Sequence, residues 1–173
     1  MQKLNASFDS TPLIYFAKAR KIEILLNLFN PIIDREVYRE AVERGISKGF
    51  RDALLIRDIV KSGNIRIIDV KIDVSKYLKI YRIGRGEIST IFLVKRGDAD
   101  LAIIDDSYAR NIAKKMGIKV HGSLFILKYA VLKKIISSEK AFKILLEMVK
   151  NGFYISPEII AFFREDLSNL QTI

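Results

Sequence analysis

Apolar positions along this chain follow two alternating patterns. Short, nearly unbroken apolar runs predict strands over residues 4–8, 31–33, 65–70, 100–104 and 118–120. Between them, apolar residues return every three or four positions and predict helices over 12–19, 22–29, 34–45, 51–63, 87–97 and 106–117. Boundary residues agree with several of these. Ser10 or Thr11 can cap the first helix with Pro12 at its first position, Asp34 can cap the third and Gly45 end it, and Gly117 closes the helix from 106. From Ser123 onward the pattern is helical throughout, with Ser123, Ser138 and Ser156 as N-caps and Pro157 directly after the last. Short apolar strands alternating with helices predict an α/β fold in three layers, built on a mostly parallel sheet of about five strands.

Composition narrows the class. The chain has 173 residues, half of them apolar and 29% charged, which suits a globular protein with a full core. No apolar run approaches the roughly 20 residues that span a bilayer, so no membrane partner is expected. The N-terminal stretch MQKLNASFDSTPLIYF lacks the charged and apolar regions of a secretory signal. Cysteine is absent, which excludes disulfides and thiolate metal sites and leads us to expect a cytoplasmic protein. With a single histidine, His121, an imidazole-built metal site or a serine–histidine triad is disfavoured. A net charge of +10 favours a polyanionic partner. Lysine and isoleucine are abundant and glutamine scarce, a thermophile-like bias that offers a second explanation for the charge.

The chemistry lies where strands end. In open parallel sheets, ligands sit at the carboxyl ends of the strands. Asp105 and Asp106 follow the apolar strand 100–104, and Asp9 follows the first strand, so two strands bring carboxylates to one rim. Periodicity adds Glu40, beside the apolar face of helix 34–45, and Glu87, which opens its helix next to the buried stripe. Each has a plainer reading. Asp9 can belong to a turn, Glu40 can pair with Arg44 at i,i+4, and Glu87 can complement a helix dipole. Like-charged carboxylates in one pocket repel one another and lose hydration, a cost that a divalent cation removes. Mg²⁺ and Mn²⁺ prefer hard oxygen ligands, and one or two such ions can support phosphodiester hydrolysis by an activated water.

The segments FDSTPLIYFAK, PIIDREVYREAV, GRGEISTIFLVK and LAIIDDSYARNIAKKMGIKVHGS stand in an order and spacing that resemble the PIN-domain family. The similarity is to a prokaryotic branch with a G-E-x-x-x-I helix, a D-D-x-x-A-R motif and a helical C-terminal extension. The resemblance spans about residues 4–135 and implies a nuclease domain over 1–135, with an extension over 136–173 packed on it. It implies a metal-dependent ribonuclease using Mg²⁺ or Mn²⁺, with RNA as substrate, single-stranded or structured. Asp9, Glu40, Glu87 and Asp105 would be the acidic quartet, Asp106 competing for the last place. Many relatives are toxins inhibited by an antitoxin protein, and many form homodimers. This chain departs from the general pattern in having Glu87 where aspartate is common, and Ile103 where a polar residue often stands.

Arg85, Arg110 and Lys114 are the foremost candidates for phosphate contact, followed by Lys18 and Lys128. The alternative reading is a PIN-fold module that binds RNA or protein around a weak or vestigial metal site. The stripes containing Leu124, Phe125 and Leu127, and Leu145, Leu146, Met148 and Val149, are expected to serve the core or a dimer surface.

Overall fold

Five short strands form one parallel sheet in the order β3-β2-β1-β4-β5. They are β1 (Leu4–Phe8), β2 (Phe29–Ile33), β3 (Arg66–Ile67), β4 (Leu101–Ile103) and β5 (Val120–His121). The computed structural model describes residues 3–71 and 73–170, and for Val74 the backbone alone; the last three residues of the expected extension lie outside this range.

Side chains on successive strand positions point to opposite faces, and the sheet uses both. Ala6, Phe8, Phe29, Ile33, Leu101 and Ile103 join one large core. That core takes Leu13 and Phe16 from α1 (Ser10–Lys18), Leu25 from α2 (Glu23–Leu28) and Ile56 from α5 (Arg51–Lys61). It continues without a break through Leu127 of α9 (Ser123–Leu132), Leu145 of α10 (Ser138–Lys150) and Leu167 of α11 (Pro157–Asn169). On the other face, Ala102 and Ile104 pack with Ile91 of α7 (Arg85–Lys95) and Ala109 and Ala113 of α8 (Ser107–Lys115). The result is a three-layer α/β/α fold on an all-parallel sheet.

Topology singles out one place on this sheet. The chain steps outward from β1 to β2 to β3, then returns past them to lay down β4 and β5 on the opposite side of β1. The order reverses between β1 and β4, the switch point where open α/β sheets bind ligands. Phe8 stands level with Ile103 across this pair, so Asp9 and Asp105 emerge from adjacent strand ends.

Several expected boundaries move for identifiable reasons. β3 closes after two residues because the chain turns towards the neighbouring strand end, where Val70 N–H donates to Asp34 Oδ2 at 2.8 Å. The helix from 34 does not stop at Gly45. It runs as α3 (Arg35–Tyr38), a π turn (Arg39–Glu43) and α4 (Arg44–Ser47). Gly45 is there for closeness: a Cβ on it would lie 2.5 Å from Ala53 Cβ of α5. The reversal falls instead at Gly49, whose φ of +77° suits glycine. Asp9 occupies the N-cap position of α1, so Pro12 is its third residue rather than its first. Ser137, not Ser138, caps α10, and Ser138 Oγ instead donates to Leu167 O at 3.0 Å, tying α10 to α11. Helix α6 (Val74–Tyr81) has no counterpart among the expected elements; Tyr77 rests edge-on against Phe92 of α7, ring centres 4.7 Å apart.

Candidate active site

The four predicted carboxylates come from four different elements, and Glu87, Glu40 and Asp105 all act electrostatically on Asp9. Asp9 leaves β1 and is only 4% exposed; its side chain caps nothing. Glu40 lies on the π turn, a local widening of the helix found often at functional sites. Both approach the α7 backbone at Gly86. A Cβ on Gly86 would lie 2.9 Å from Asp9 Oδ1 and 3.0 Å from Glu40 Oε2, so only a hydrogen side chain leaves both carboxylates this close to the helix. Glu87, the next residue, turns its carboxylate back over Gly84 at the start of α7.

Hydroxyl groups orient two of these acids. Ser10 Oγ donates to Glu40 Oε2 at 3.1 Å. Ser123 holds both oxygens of Asp105, with N–H donating to Oδ1 and Oγ to Oδ2, each at 2.7 Å. The expected Arg44–Glu40 pair also forms, at 3.8 Å, with Arg44 largely in solvent. Asp106 behaves differently: it is exposed, and Oδ1 accepts from Ala109 N at 2.7 Å as the N-cap of α8.

Burial raises the proton affinity of Asp9, Glu40 and Asp105, and neighbouring acids add to the rise at Asp9 and Glu40. Burial is the main cause of Asp9's rise to about 8, followed by the charge of Glu87; Glu40 and Asp105 push the same way, and the Ser10 N–H opposes them. Glu40 is raised chiefly by burial, against the Ser10 hydroxyl and Arg44. Asp105 is raised by burial too, against its bonds from Ser123 and the charge of Arg110. These carboxyls share a site that favours protons or cations.

The donor set suits a hard divalent ion: it is all carboxylate, and the space over Gly86 is lined by two oxygens from different elements. The set is nevertheless open. Among the described residues, no three histidine, aspartate or glutamate side chains are gathered into a group that could hold an ion. Asp105 is engaged by Ser123 and Glu87 by its own helix start.

A family model described as a PIN domain (DUF3368) matches residues 6–169. The chain belongs to the PIN-domain family. PIN domains are generally nucleases, which fits acids at a switch point with no cysteine and one histidine. The match runs from β1 through α11 and crosses the boundary expected near residue 136. No curated protein matches the sequence significantly. Among the described residues of this PIN domain, no helix is long and apolar enough to cross a membrane.

Two grooves flank the carboxylates and meet at Thr11, in the first turn of α1. One, of about 730 Å³, reaches Asp105 and runs between α8 and the segment joining α10 to α11. The other, of about 480 Å³, reaches Glu40 and runs between α1 and the π turn with α4, bordered by Phe50 and Asp52. Arg110 and Lys114 line the first groove. Arg110 is partly committed already, since Nη1 donates to Ile104 O at 3.0 Å and to the carbonyl of Asp105. Lys18 lines the second, with Nζ 5.1 Å from the Tyr15 ring centre and 5.6 Å from that of Phe50. Arg85 is exposed beside Gly86. Lys128 lies away from both grooves and pairs with Asp166 of α11 at 2.9 Å. His121 stacks on Phe125 with ring centres 3.8 Å apart, and burial, then Lys114, lowers its proton affinity.

Sequence reasoning missed the supporting residues. The pattern predicts Ser123 as a cap of its own helix; in the structure it is the first residue of α9 and serves Asp105, 18 positions earlier. Gly86 stands just before the expected helix 87–97, and only the structure places it inside α7 at a point of close approach. Nothing in the sequence marked Tyr154 or Phe50.

Proposed function

We propose that this PIN domain hydrolyses phosphodiester bonds in RNA at the carboxylates around Gly86. The observation that carries the reading is the convergence of Asp9 and Glu40 on the Gly86 α-carbon, at the sheet's switch point, with Asp9 raised to about 8 by burial and by its acidic neighbours. Asp9, Glu40, Glu87 and Asp105 would hold Mg²⁺ or Mn²⁺. Such an ion, when bound, lowers the pKa of water and offsets charge developing on phosphorus.

The chain's own residues do the rest. Ser10 keeps Glu40 turned towards Asp9, and Ser123 fixes the plane of Asp105. Gly86 leaves the space the carboxylates share. Asp9 holds a proton near neutral pH in the ion-free protein, so ion binding and proton release are linked. Asp106 contributes through α8, by starting the helix that carries Arg110 and Lys114. Arg85, Arg110, Lys114 and Lys18 supply positive charge for the RNA backbone, and the net charge of +10 adds long-range attraction.

The test is cleavage of labelled RNA and single-stranded DNA with Mn²⁺, Mg²⁺ or EDTA, using wild type and Asp105→Ala. Metal-dependent cutting of RNA that the substitution abolishes is the expected result. Cutting that persists in Asp105→Ala overturns the site, and cutting of DNA alone overturns the substrate.

One observation favours a second reading, an RNA-binding module with a vestigial metal site: Asp105 is satisfied by Ser123 and no ion-ready group exists among the described residues. That module would bind RNA equally in EDTA and Mn²⁺ and cut nothing.

A further inference from the structure

We propose that this PIN domain grips single-stranded nucleic acid by stacking bases in two aromatic pockets on either flank of the carboxylates, with Tyr154 and Phe50 as the stacking faces. The proposal rests on the nucleic-acid part of the reading above. Its basis is the repetition of one chemistry in two unrelated places. The two grooves share Thr11, which follows the Asp9 strand end by two residues. The first brings together Tyr154, Phe125 and His121 with Arg110 and Lys114. The second brings together Phe50 and Tyr15 with Lys18, Arg44 and Lys48. Aromatic faces beside cations are the combination that holds single strands, since every base has a stacking face and every linkage a negative charge.

Tyr154 is the most telling residue. It is 94% exposed, and among the described residues it stacks on no other ring. The segment that carries it is nevertheless pinned. Tyr15 Oη donates to Gly152 O at 2.9 Å, and buried Phe153 meets the Tyr15 ring edge-on at 5.2 Å. Ser156 then caps α11, accepting from Ile159 N. A large aromatic ring in water on a pinned segment, at the wall of a groove that reaches Asp105, presents a ready face at little ordering cost. Phe50 repeats the arrangement as the residue preceding α5: it is 48% exposed, with the Lys18 ammonium near its face. Tyr15 joins the pair, lining the second groove while anchoring the wall of the first.

Volumes of about 730 and 480 Å³ suit ligand-sized groups such as a nucleoside. Bases in a duplex are stacked on each other and offer no free face, so the arrangement selects single strands. A strand crossing Thr11 would carry its phosphodiester past Asp9 and Asp105 with a base on each side.

The experiment measures binding by fluorescence anisotropy in EDTA, where no metal-dependent cleavage occurs. The probes are a short labelled RNA strand, its duplex, and a strand of the same length without bases. Tyr154→Ala and Phe50→Ala should each weaken the intact strand roughly 5- to 100-fold. They should leave the salt dependence unchanged, since stacking releases no counterions. Neither should alter binding of the strand without bases. Tyr154→Phe and Phe50→Tyr should restore affinity, separating ring loss from a folding defect. Wild-type affinity in both alanine variants overturns the proposal, as does an equal loss on the strand without bases or a preference for duplex. Stacking-dependent binding without cleavage in Mn²⁺ refutes the nuclease reading alone. Cleavage with unchanged affinity in both alanine variants refutes this proposal alone. No wild-type binding to any single strand overturns both.

Discussion

Asp9→Asn should make the ion-free protein more stable, and the gain should grow with pH. Asp9 ordinarily titrates at 3.8, and in the fold it titrates at about 8. At a pH below its ordinary value the carboxyl is protonated both folded and unfolded, and it contributes nothing. Between the two values only the folded state keeps the proton, so the unfolded chain gains by releasing it and stability declines as pH rises. Above about 8 the folded carboxyl also ionises and the loss is complete. One unit corresponds to about 1.4 kcal/mol. The rise from about pH 4 to pH 7 therefore costs up to about 4 kcal/mol at this residue. Asparagine keeps the shape and an acceptor oxygen for Ser10 N–H while removing the titration. The assay is urea unfolding in EDTA at several pH values. The advantage of Asp9→Asn over wild type should widen by about 2 to 3 kcal/mol between roughly pH 5 and pH 7. An equal difference at both pH values would refute the reasoning, because it would place the effect in packing and not in the carboxyl's proton.

Mn²⁺ should raise the wild-type melting temperature and leave that of Asp9→Asn nearly unchanged, as calorimetry with and without the ion would record. Gly86→Ala should keep the fold but cut metal-dependent cleavage roughly 100-fold, since the new methyl would displace the Asp9 and Glu40 oxygens that lie 2.9 and 3.0 Å from it; circular dichroism beside the cleavage assay separates the two effects. Asp34→Ala should lose about 2 to 3 kcal/mol in urea unfolding, because buried Asp34 accepts from Glu36 N–H and from Val70 N–H. Gly45→Ala should also destabilise, by about 1 to 3 kcal/mol, although alanine is the better helix former, because its Cβ would lie 2.5 Å from that of Ala53.

Much of the fold was legible because its signals are local. The strands 4–8 and 100–104 and the caps at Asp34 and Ser156 follow from apolar runs and from side chains that bond within a few residues. The edges of the sheet were not legible in the same way. β3 stops after two residues because Asp34, 36 positions earlier, draws the chain away. Gly45 looked like a helix stop but is a point of contact with α5. The π turn bearing Glu40 leaves no mark in the period of its apolar residues.

The same division runs through the site. By itself the sequence determined the inventory: strand-end aspartates, two glutamates on apolar helix borders, no cysteine, one histidine and an excess of positive charge. It also determined the parallel sheet that sends strand ends to one rim, since the period of apolar residues sets which face each element buries. Only the tertiary structure decided how these acids meet. It brought Asp9 and Glu40 together over Gly86, bound Asp105 to Ser123, assigned Asp106 to a helix cap, and built two aromatic grooves that share Thr11. The reason is physical: periodicity and capping act over a few residues, whereas burial, charge repulsion and hydrogen bonding between elements depend on distances that exist only once the layers have packed.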